Sequence, residues 1–497
     1  PSVVTIDPKD EFIKLCSEKA DFELAYTILA LRDALKVEDC LELYQTMNVS
    51  TDLDLNGRRL IDIGILRFAR NLVRLDLRNN HIADISAISN LAQLRFLDLS
   101  ENDIKDISSL SGALQLLEIG LSGNAVKDLK PLAGLKQLRL LKASLNAIED
   151  ISALSGLTNL ETVSLHTNRI ANIEALLSSP SIRDLNLQNM PTYTDGKDLA
   201  KLKKLEVLDL QGTKVHDYTF ITGLESLIEL RLQFDGFVDI SPLKTLSKLQ
   251  ILKVDYFQGP IADPAATKAL DYSFLEKMPK LTSLDINDSS LKSVAFLDTI
   301  PDLEVLAMVS APISDLSPIG RRSKLRQLKI QSNVNGDGSF LAPLKALETL
   351  DLSGNSLSSL AFLSSLGNLR SLFLSNNPVK DLSPLATVPQ LTTLSLESMD
   401  LDSIKALAPL KNLSSLSLST NRLSDISVLA ELKELRSLNL AFNTLALDLT
   451  SLQDLSKLEE LNVNFLPSVA LSGLGKLKNL TKFEASAIGL KDCTVVS

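Results

Sequence analysis

The sequence predicts an α/β solenoid, in which short strands and tight turns stack as consecutive coils. Three observations carry this prediction: leucines recur in the order Leu-x-x-Leu-x-Leu, an asparagine follows each group, and the pattern returns every 22 residues. A fixed period of this length indicates a repeat array, because one repeat cannot bury its apolar side chains alone and must stack on its neighbours. The asparagines that show the period most plainly are Asn80, Asn102, Asn124, Asn146 and Asn168.

We count positions within a repeat from its first leucine, so that Leu72 and Leu94 both stand at position 0. The series runs to Leu480 and, with a degenerate first repeat near Ser50, comprises about twenty repeats. We therefore expect a helical N-terminal cap over residues 1–49, one continuous solenoid over 50–490, and a C-terminal tail over 491–497.

The segment before the repeats has the apolar spacing of helices. Over residues 9–47, apolar side chains recur at steps of three and four residues, and Asp7-Pro8 is a plausible helix start. The first coil of an open-ended solenoid would otherwise expose its core, so this segment is predicted to be the cap.

Each repeat divides into a strand, a turn and a short return. Leu75-Asp76-Leu77 is typical of a strand with alternate residues facing in and out. The asparagine that follows can satisfy unpaired backbone groups of neighbouring coils, which predicts a buried ladder. The Asp-Ile-Ser-Pro-Leu stretch at Asp239–Leu243 is typical of a capped 3₁₀ turn or a single helical turn.

These features resemble the 22-residue leucine-rich repeats of bacterial internalins and of a nuclear protein-phosphatase regulatory subunit. The resemblance implies a horseshoe or arc with a parallel β-sheet on the concave face and short turns on the convex face. It also implies that partners bind on the inner strand surface. The cap with its two cysteines resembles that of secreted bacterial members of this class.

The cysteines bear on the compartment of the protein. Cys16 and Cys40 occupy no repeat position and can reach one another across a pair of short helices, whereas two reduced thiols are the alternative. A disulfide would imply an oxidising, extracytoplasmic setting. Cys493 takes the position of the buried Ile85 by register, which predicts a small core residue.

Composition and motifs exclude several classes of function. The net charge of −10 argues against nucleic acid as a partner, and no apolar run has the length of a transmembrane helix. His81, His166 and His216 share no metal or catalytic spacing, and Asn333–Gly338 lacks the downstream carboxylate of a calcium loop. We therefore predict no metal, no cofactor and no catalysis.

One repeat departs clearly from the period. It runs 32 residues, from Leu249 to Leu281, and carries a Pro- and Gly-containing insertion at about 257–274. Outward strand positions are expected at 2, 4, 6 and 7, which places Phe234 and Tyr256 at position 7 of consecutive repeats. Exposed aromatic side chains flanked by charge are typical of an interaction hot spot.

The predicted partner-binding site follows from this register, while local packing of the aromatic side chains under the insertion is the alternative. Its residues are Phe234, Tyr256, Phe257, Arg231, Lys253 and Asp285. A second candidate, or else a merely solvated face, is the charged N-terminal strand surface of Arg74, Asp76, Arg78, Phe96, Asp98, Glu101 and Glu118. Phe442 and Phe465, also at position 7, are a further apolar spot or part of a C-terminal cap.

The sequence as a whole predicts a monomeric, non-enzymatic bacterial protein that binds a protein or a glycan outside the cytoplasm, in the periplasm, at the cell surface or secreted. An intracellular scaffold that docks an enzyme is the first alternative. A structural spacer is the second.

Overall fold

The computed structural model describes most of the chain. Phe257, most of the insertion and Cys493 lie outside the described residues, so the predictions made for them stay predictions. The described ranges are 7–17, 22–234, 238–256, 270–288, 291–309, 313–332, 334–444, 446–467, 469–470, 474–488 and 490–492.

Three helices form the N-terminal cap, as the apolar spacing predicts. They are α1 (Pro8–Ser17), α2 (Phe22–Leu35) and α3 (Cys40–Val49). The Asp7 carboxylate accepts a hydrogen bond from the backbone N–H of Lys9 at 2.9 Å, which marks the predicted helix start. A disulfide joins Cys16 to Cys40 with the Cα atoms 5.9 Å apart, and the predicted pairing is confirmed.

The described chain forms two compact units, one up to Leu249 and the other from Gln250 onward. In the first unit each repeat contributes one strand, and neighbouring strands run parallel and in register, as where Arg74 lies opposite Phe96. The strands β1 to β9 are Asp52–Asp54, Arg74–Asp76, Phe96–Asp98, Glu118–Gly120, Leu140–Lys142, Thr162–Ser164, Asp184–Asn186, Val207–Asp209 and Glu229–Phe234.

The second unit continues the same pattern, with Ile251 opposite Ser283 in its first two strands. Shorter parallel pairs join Asn335–Gly336 to Ser356–Leu357, and Val469–Ala470 to Leu447–Asp448 and Leu490–Asp492. The main strands β10 to β20 are Ile251–Tyr256, Ser283–Asp288, Val305–Val309, Gln327–Gln331, Thr349–Asp351, Ser371–Phe373, Thr393–Ser395, Ser415–Ser417, Ser437–Asn439, Glu460–Asn462 and Lys482–Glu484.

The return of each repeat is a short helical turn, as predicted. An aspartate commonly caps it, as where the Asp84 carboxylate accepts the backbone N–H of Ser86 at 2.8 Å. The 3₁₀ turns of the first unit are Gly64–Phe68, Ser86–Asn90, Ser108–Gly112, Lys130–Leu132, Ser152–Leu154, Glu174–Ser178, Lys197–Lys201, Thr219–Gly223 and Ser241–Thr245. The turns of the second are Ser273–Lys277, Ala295–Thr299, the α-turn Ser317–Gly320, Ser339–Leu341, Ala361–Ser365, Ser383–Thr387, Lys405–Leu407, Ser427–Glu431, Leu449–Leu452 and Leu474–Lys476.

The asparagine ladder holds consecutive coils together. The buried Asn102 amide donates to the carbonyls of Leu77 and Leu99, each at 3.0 Å, and accepts the backbone N–H of Ile82 at 3.0 Å. One side chain therefore satisfies backbone groups of its own repeat and of the preceding one. This confirms the predicted ladder and leaves a stiff core of stacked leucines.

Candidate functional site

The strand face, which we define as the solvent side of the main sheet in each unit, follows the predicted register in regular repeats. In the β2 repeat Arg74 at position 2 and Arg78 at position 6 are exposed and Asp76 at position 4 is half-buried. Leu75 and Leu77 between them are buried. In this repeat positions 2, 4 and 6 therefore present side chains to solvent, as a strand that alternates must. In other repeats a small residue at position 6 is buried, as at Ser144 and Ser419.

Position 7 reaches solvent for a different reason. In regular repeats this residue has a left-handed backbone, as in Asn79 with φ 54° and Phe442 with φ 58°. The left-handed residue ends the alternation, so its own side chain points outward and the asparagine at position 8 turns into the core. Exposure of position 7 thus depends on a backbone turn.

Three consecutive repeats lack this turn. Strands β9, β10 and β11 each run six residues, and burial alternates along all six. Position 7 then falls on the same side as positions 3 and 5. Phe234, Tyr256 and Asp288 accordingly retain only 2%, 5% and 1% of their surface exposed.

The prediction that Phe234 and Tyr256 form an exposed contact patch is therefore wrong. Both belong to strands that continue through position 7, so both rings lie in the core. Phe234 packs edge-to-face on Tyr218 with the ring centroids 5.5 Å apart. The third predicted aromatic residue, Phe257, lies outside the described residues.

The three charged residues of the predicted site do face solvent at position 4, but each has an ion-pair partner. In the first unit Arg231 pairs with Glu229 at 2.5 Å and lies 3.8 Å from Asp209. In the second unit Lys253 lies 3.4 Å from Asp285. These residues remain on the strand face without the two aromatic anchors on which the predicted site depended.

A signal for the longer strands is present in the sequence, at position 8. The repeats of β9, β10 and β11 have Asp235, Phe257 and Ser289 there in place of the ladder asparagine. That loss alone is insufficient, because Met190 and Met399 also replace the asparagine while the residue before each remains left-handed. The extended strands are distinguished by this loss combined with a large or acidic residue at position 7, which is Phe234, Tyr256 or Asp288.

A recess on the strand face of the first unit, which we term the charged depression, is the second candidate site. It has a volume of about 250 Å³. Gly120 shapes it, because a Cβ atom there would lie 2.3 Å from the Asp98 carboxylate. We define the charged depression by its lining residues Arg74, Asp76, Arg78, Phe96, Asp98, Glu118, Gly120 and Lys142.

Charge and aromatic surface meet inside the charged depression. The Arg74 guanidinium stacks over the Phe96 ring at 4.2 Å from its centroid, a cation–π contact. Arg78 pairs with Asp76 at 2.6 Å and lies 3.6 Å from Asp98. Its hydrogen bond to Asp76 raises the pKa of Arg78 above its ordinary value, so this cation stays charged.

Two further charges line the charged depression. Within the described residues, neither Glu118 nor Lys142 makes an ion pair or a side-chain hydrogen bond. An acid and a base are therefore available to a partner beside an arginine–phenylalanine pair. Such a mixture suits recognition of a polar protein surface.

The second unit carries an exposed pair of aromatic rings, the phenylalanine pair Phe442 and Phe465. Both stand at position 7 with φ 58°, and each is 50% exposed. Their rings stack with centroids 4.5 Å apart and planes 14° from parallel. Nearby, Asn462 donates to Glu484 at 2.8 Å. The sequence left open whether these two residues form an exposed apolar spot or part of a C-terminal cap. The structure places both side chains on the surface.

Metal-site geometry is missing from the described part of the chain. There, no group of three or more His, Cys, Asp or Glu side chains is arranged to hold an ion. None of the helices described combines the length and the apolar composition of a membrane span.

Partial burial lowers the pKa of His166 on the strand face.

Comparison with known proteins agrees with the repeat architecture. A family model described as leucine-rich repeats (2 copies) matches residues 70–112, 136–178 and 345–387. No curated protein matches the chain. The strand-and-turn repeats and the asparagine ladder described above show the leucine-rich repeat fold, and the family model matches three segments of it.

Several solved structures are similar to it. The internalin InlF from Listeria monocytogenes str. 4b F2365 is 25% identical, with 84% of this chain and 98% of that one covered and a TM-score of 0.40. The internalin InlC2 from the same strain is 27% identical over 51% of this chain and 99% of that one, with a TM-score of 0.38. TLR13, in a complex with ssRNA13, is 19% identical over 89% and 85%, with a TM-score of 0.52, and shares the fold.

Proposed function

We propose that this leucine-rich repeat protein is a non-enzymatic binding protein that engages a protein partner through the charged depression. The observation that carries the proposal is the recess itself, where Arg74 lies over Phe96 beside the carboxylates of Asp98 and Glu118. Arginine and aromatic side chains in a recess are the residue types that dominate binding energy at protein interfaces.

The rigidity of the repeats supports this role. The strands β2 to β5 pair in continuous parallel register, and ladder asparagines fix the coil behind each strand. Side chains on such a surface lose little conformational freedom on binding, so more of the contact energy appears as affinity.

The charges favour a partner with basic side chains. On the strand face of β1 to β5, Arg74, Arg78 and Lys142 are outnumbered by carboxylates. Excess negative charge attracts a basic partner and makes the interaction sensitive to salt, because screening weakens it. The carboxylates belong to Asp52, Asp54, Asp76, Asp98, Glu101 and Glu118.

We further propose that the protein acts outside the cytoplasm, because the disulfide between Cys16 and Cys40 joins two helices of the cap. Disulfides persist in oxidising compartments and are rare in the cytosol. Thiol counting on the protein isolated from its source under denaturing, non-reducing conditions tests this. A bridged pair supports the proposal, whereas free thiols at both positions would favour the intracellular scaffold.

Affinity capture tests the binding site. The immobilised full chain is exposed to an extract of extracellular proteins, alongside the double variant Glu118→Lys/Phe96→Ala and a control, Phe373→Ala. Phe373 is a half-buried strand-face phenylalanine of the second unit. We expect a species that the wild type and the control retain, that the double variant loses, and that dissociates as salt rises from about 50 to about 300 mM.

Three results would contradict the proposal. Equal retention by the double variant would place the binding site elsewhere, provided that circular dichroism shows it folded. Loss of the retained species after enzymatic deglycosylation of the extract would make the ligand a glycan. A protein that retains nothing under any of these conditions would act as a spacer.

A further inference from the structure

Helix α2 of the cap has a second apolar side that the repeats do not cover. Phe22, Tyr26 and Leu29 stand at steps of four and three residues and therefore lie on one side of the helix. They are 76%, 44% and 58% exposed. The buried residues Leu24 and Ile28 on the inner side attach the helix to the cap.

This distribution is unusual for a helix at a surface. Such a helix normally has one apolar stripe facing the core and charged or polar residues opposite. Here the outward side carries two aromatic rings, with centroids 4.9 Å apart, and a leucine. A contiguous exposed apolar patch of this kind marks an interaction site. We name Phe22, Tyr26 and Leu29 the outer stripe.

The outer stripe borders a recess with a volume of about 220 Å³. Phe22, Tyr26 and the exposed Ile61 form its apolar wall. Its polar rim has both signs of charge, with Glu23 on the helix and Arg59 from the first repeat, and His81 completes the lining. An apolar centre inside a polar rim is the anatomy of a protein–protein contact.

We propose that the outer stripe binds a second copy of this chain through a two-fold axis. Phe22 and Leu29 are seven residues apart with Tyr26 between them. Two α2 helices that cross antiparallel therefore bring Leu29 of each copy against Phe22 of the other. Each Leu29 then enters the recess that Phe22, Tyr26 and Ile61 form on the opposite copy.

Self-complementarity is what favours a second copy over an unrelated protein. In an isologous interface the same patch of each copy must carry both a projecting group and the recess that receives it. In the outer stripe the projecting group is Leu29, and the recess is bounded by Phe22 and Tyr26. The rim suits self-pairing as well, because Glu23 and Arg59 have opposite charges and a rim of one sign would repel its own copy.

The dimer is expected to be weak. A buried aromatic side chain contributes roughly 150–250 Å², so the outer stripe buries well under the roughly 800 Å² per partner of a standard interface. Each copy also carries a net charge of −10, which opposes association. Added salt screens this repulsion and should strengthen the dimer, the opposite of its effect on the charged depression.

Mass measurements at increasing concentration test the proposal. The full chain is followed by sedimentation or light scattering from about 1 to about 200 μM, a range that brackets weak association. The wild-type mass should rise from 54.2 kDa towards twice that value. Leu29→Asp should remain monomeric throughout, whereas Leu114→Asp, at a leucine that is 54% exposed in the repeats, should behave as the wild type.

Cross-linking tests the geometry. With Cys493→Ser as background, Tyr26→Cys places a thiol near the two-fold axis and should give a covalent dimer under mild oxidation, and Leu114→Cys should not. A wild-type mass that stays at 54.2 kDa at the highest concentration would overturn the proposal. So would a dimer that Leu29→Asp leaves intact.

Discussion

Side chains at position 7 of the repeat are exposed in one region of the molecule and buried in another. In the regular repeats of the second unit, Phe442 and Phe465 are half exposed and stack on each other. In the extended strands, Phe234 and Tyr256 occupy the same position and lie in the core. All four are aromatic, so residue type does not decide which way the side chain faces.

The backbone decides it. A left-handed residue costs a bulky side chain about 1–2 kcal/mol, and the ladder asparagine that follows offsets this with several hydrogen bonds, as Asn443 shows in its bonds to the carbonyls of Leu418 and Leu440. Where the asparagine is missing and the strand continues, additional backbone pairing between neighbouring strands takes the place of the turn. Strands β10 and β11, for example, remain in register as far as Tyr256 and Asp288.

The largest expected effect separates the two classes of phenylalanine. Phe234→Ala removes a buried ring and should lower the free energy of local opening by about 3–5 kcal/mol, measured by native-state hydrogen exchange of the β9 amides. Phe442→Ala, at the same position on the surface, should cost less than about 1 kcal/mol. Equal losses at the two sites would contradict the comparison.

The asparagine ladder should give the next largest effect. Asn102→Ala leaves the backbone N–H of Ile82 and the carbonyls of Leu77 and Leu99 without their side-chain partner, and should cost about 2–3 kcal/mol. The exposed Asn90 is the control, and Asn90→Ala should cost less than about 0.5 kcal/mol. Hydrogen exchange of the Ile82 amide reports the change directly.

Two separate tyrosine substitutions test whether position 7 of β11 points into the core. Asp288 is buried and accepts the Tyr272 hydroxyl at 2.9 Å, so Tyr272→Phe should cost about 1–2 kcal/mol. Within the described residues the buried Tyr193 hydroxyl has no hydrogen-bond partner, so Tyr193→Phe should be neutral or slightly stabilising. Thermal unfolding of both variants gives the comparison, and a neutral Tyr272→Phe would contradict it.

The smallest expected effect concerns protonation in a regular repeat. Partial burial lowers the pKa of His166 below its ordinary value. The unfolded chain therefore binds this proton more readily, and stability should fall as the pH drops from about 7 to about 5. In His166→Gln that part of the pH dependence should disappear, which a difference in melting temperature between wild type and variant would detect.

Much of the fold was predictable, but only part of the site was. The charged residues Arg231, Lys253 and Asp285 face solvent because position 4 in their repeats follows strand alternation. Phe234 and Tyr256 do not, because their orientation depends on a turn that a single residue type cannot signal. The charged depression was only partly foreseen. Its charged residues other than Lys142 followed from register, whereas the position of the Asp98 carboxylate depends on the absence of a Cβ atom at Gly120.

By itself, the sequence determined the properties that one repeat sets and twenty repeats reinforce: the period, the buried leucines, the asparagine ladder and the helical cap. Only the tertiary structure decided whether position 7 of a given repeat turns outward, where a recess forms on the sheet, and which side of α2 stays uncovered. Those outcomes depend on how each strand pairs with its neighbours, and pairing is a cooperative property of adjacent coils that no single repeat contains.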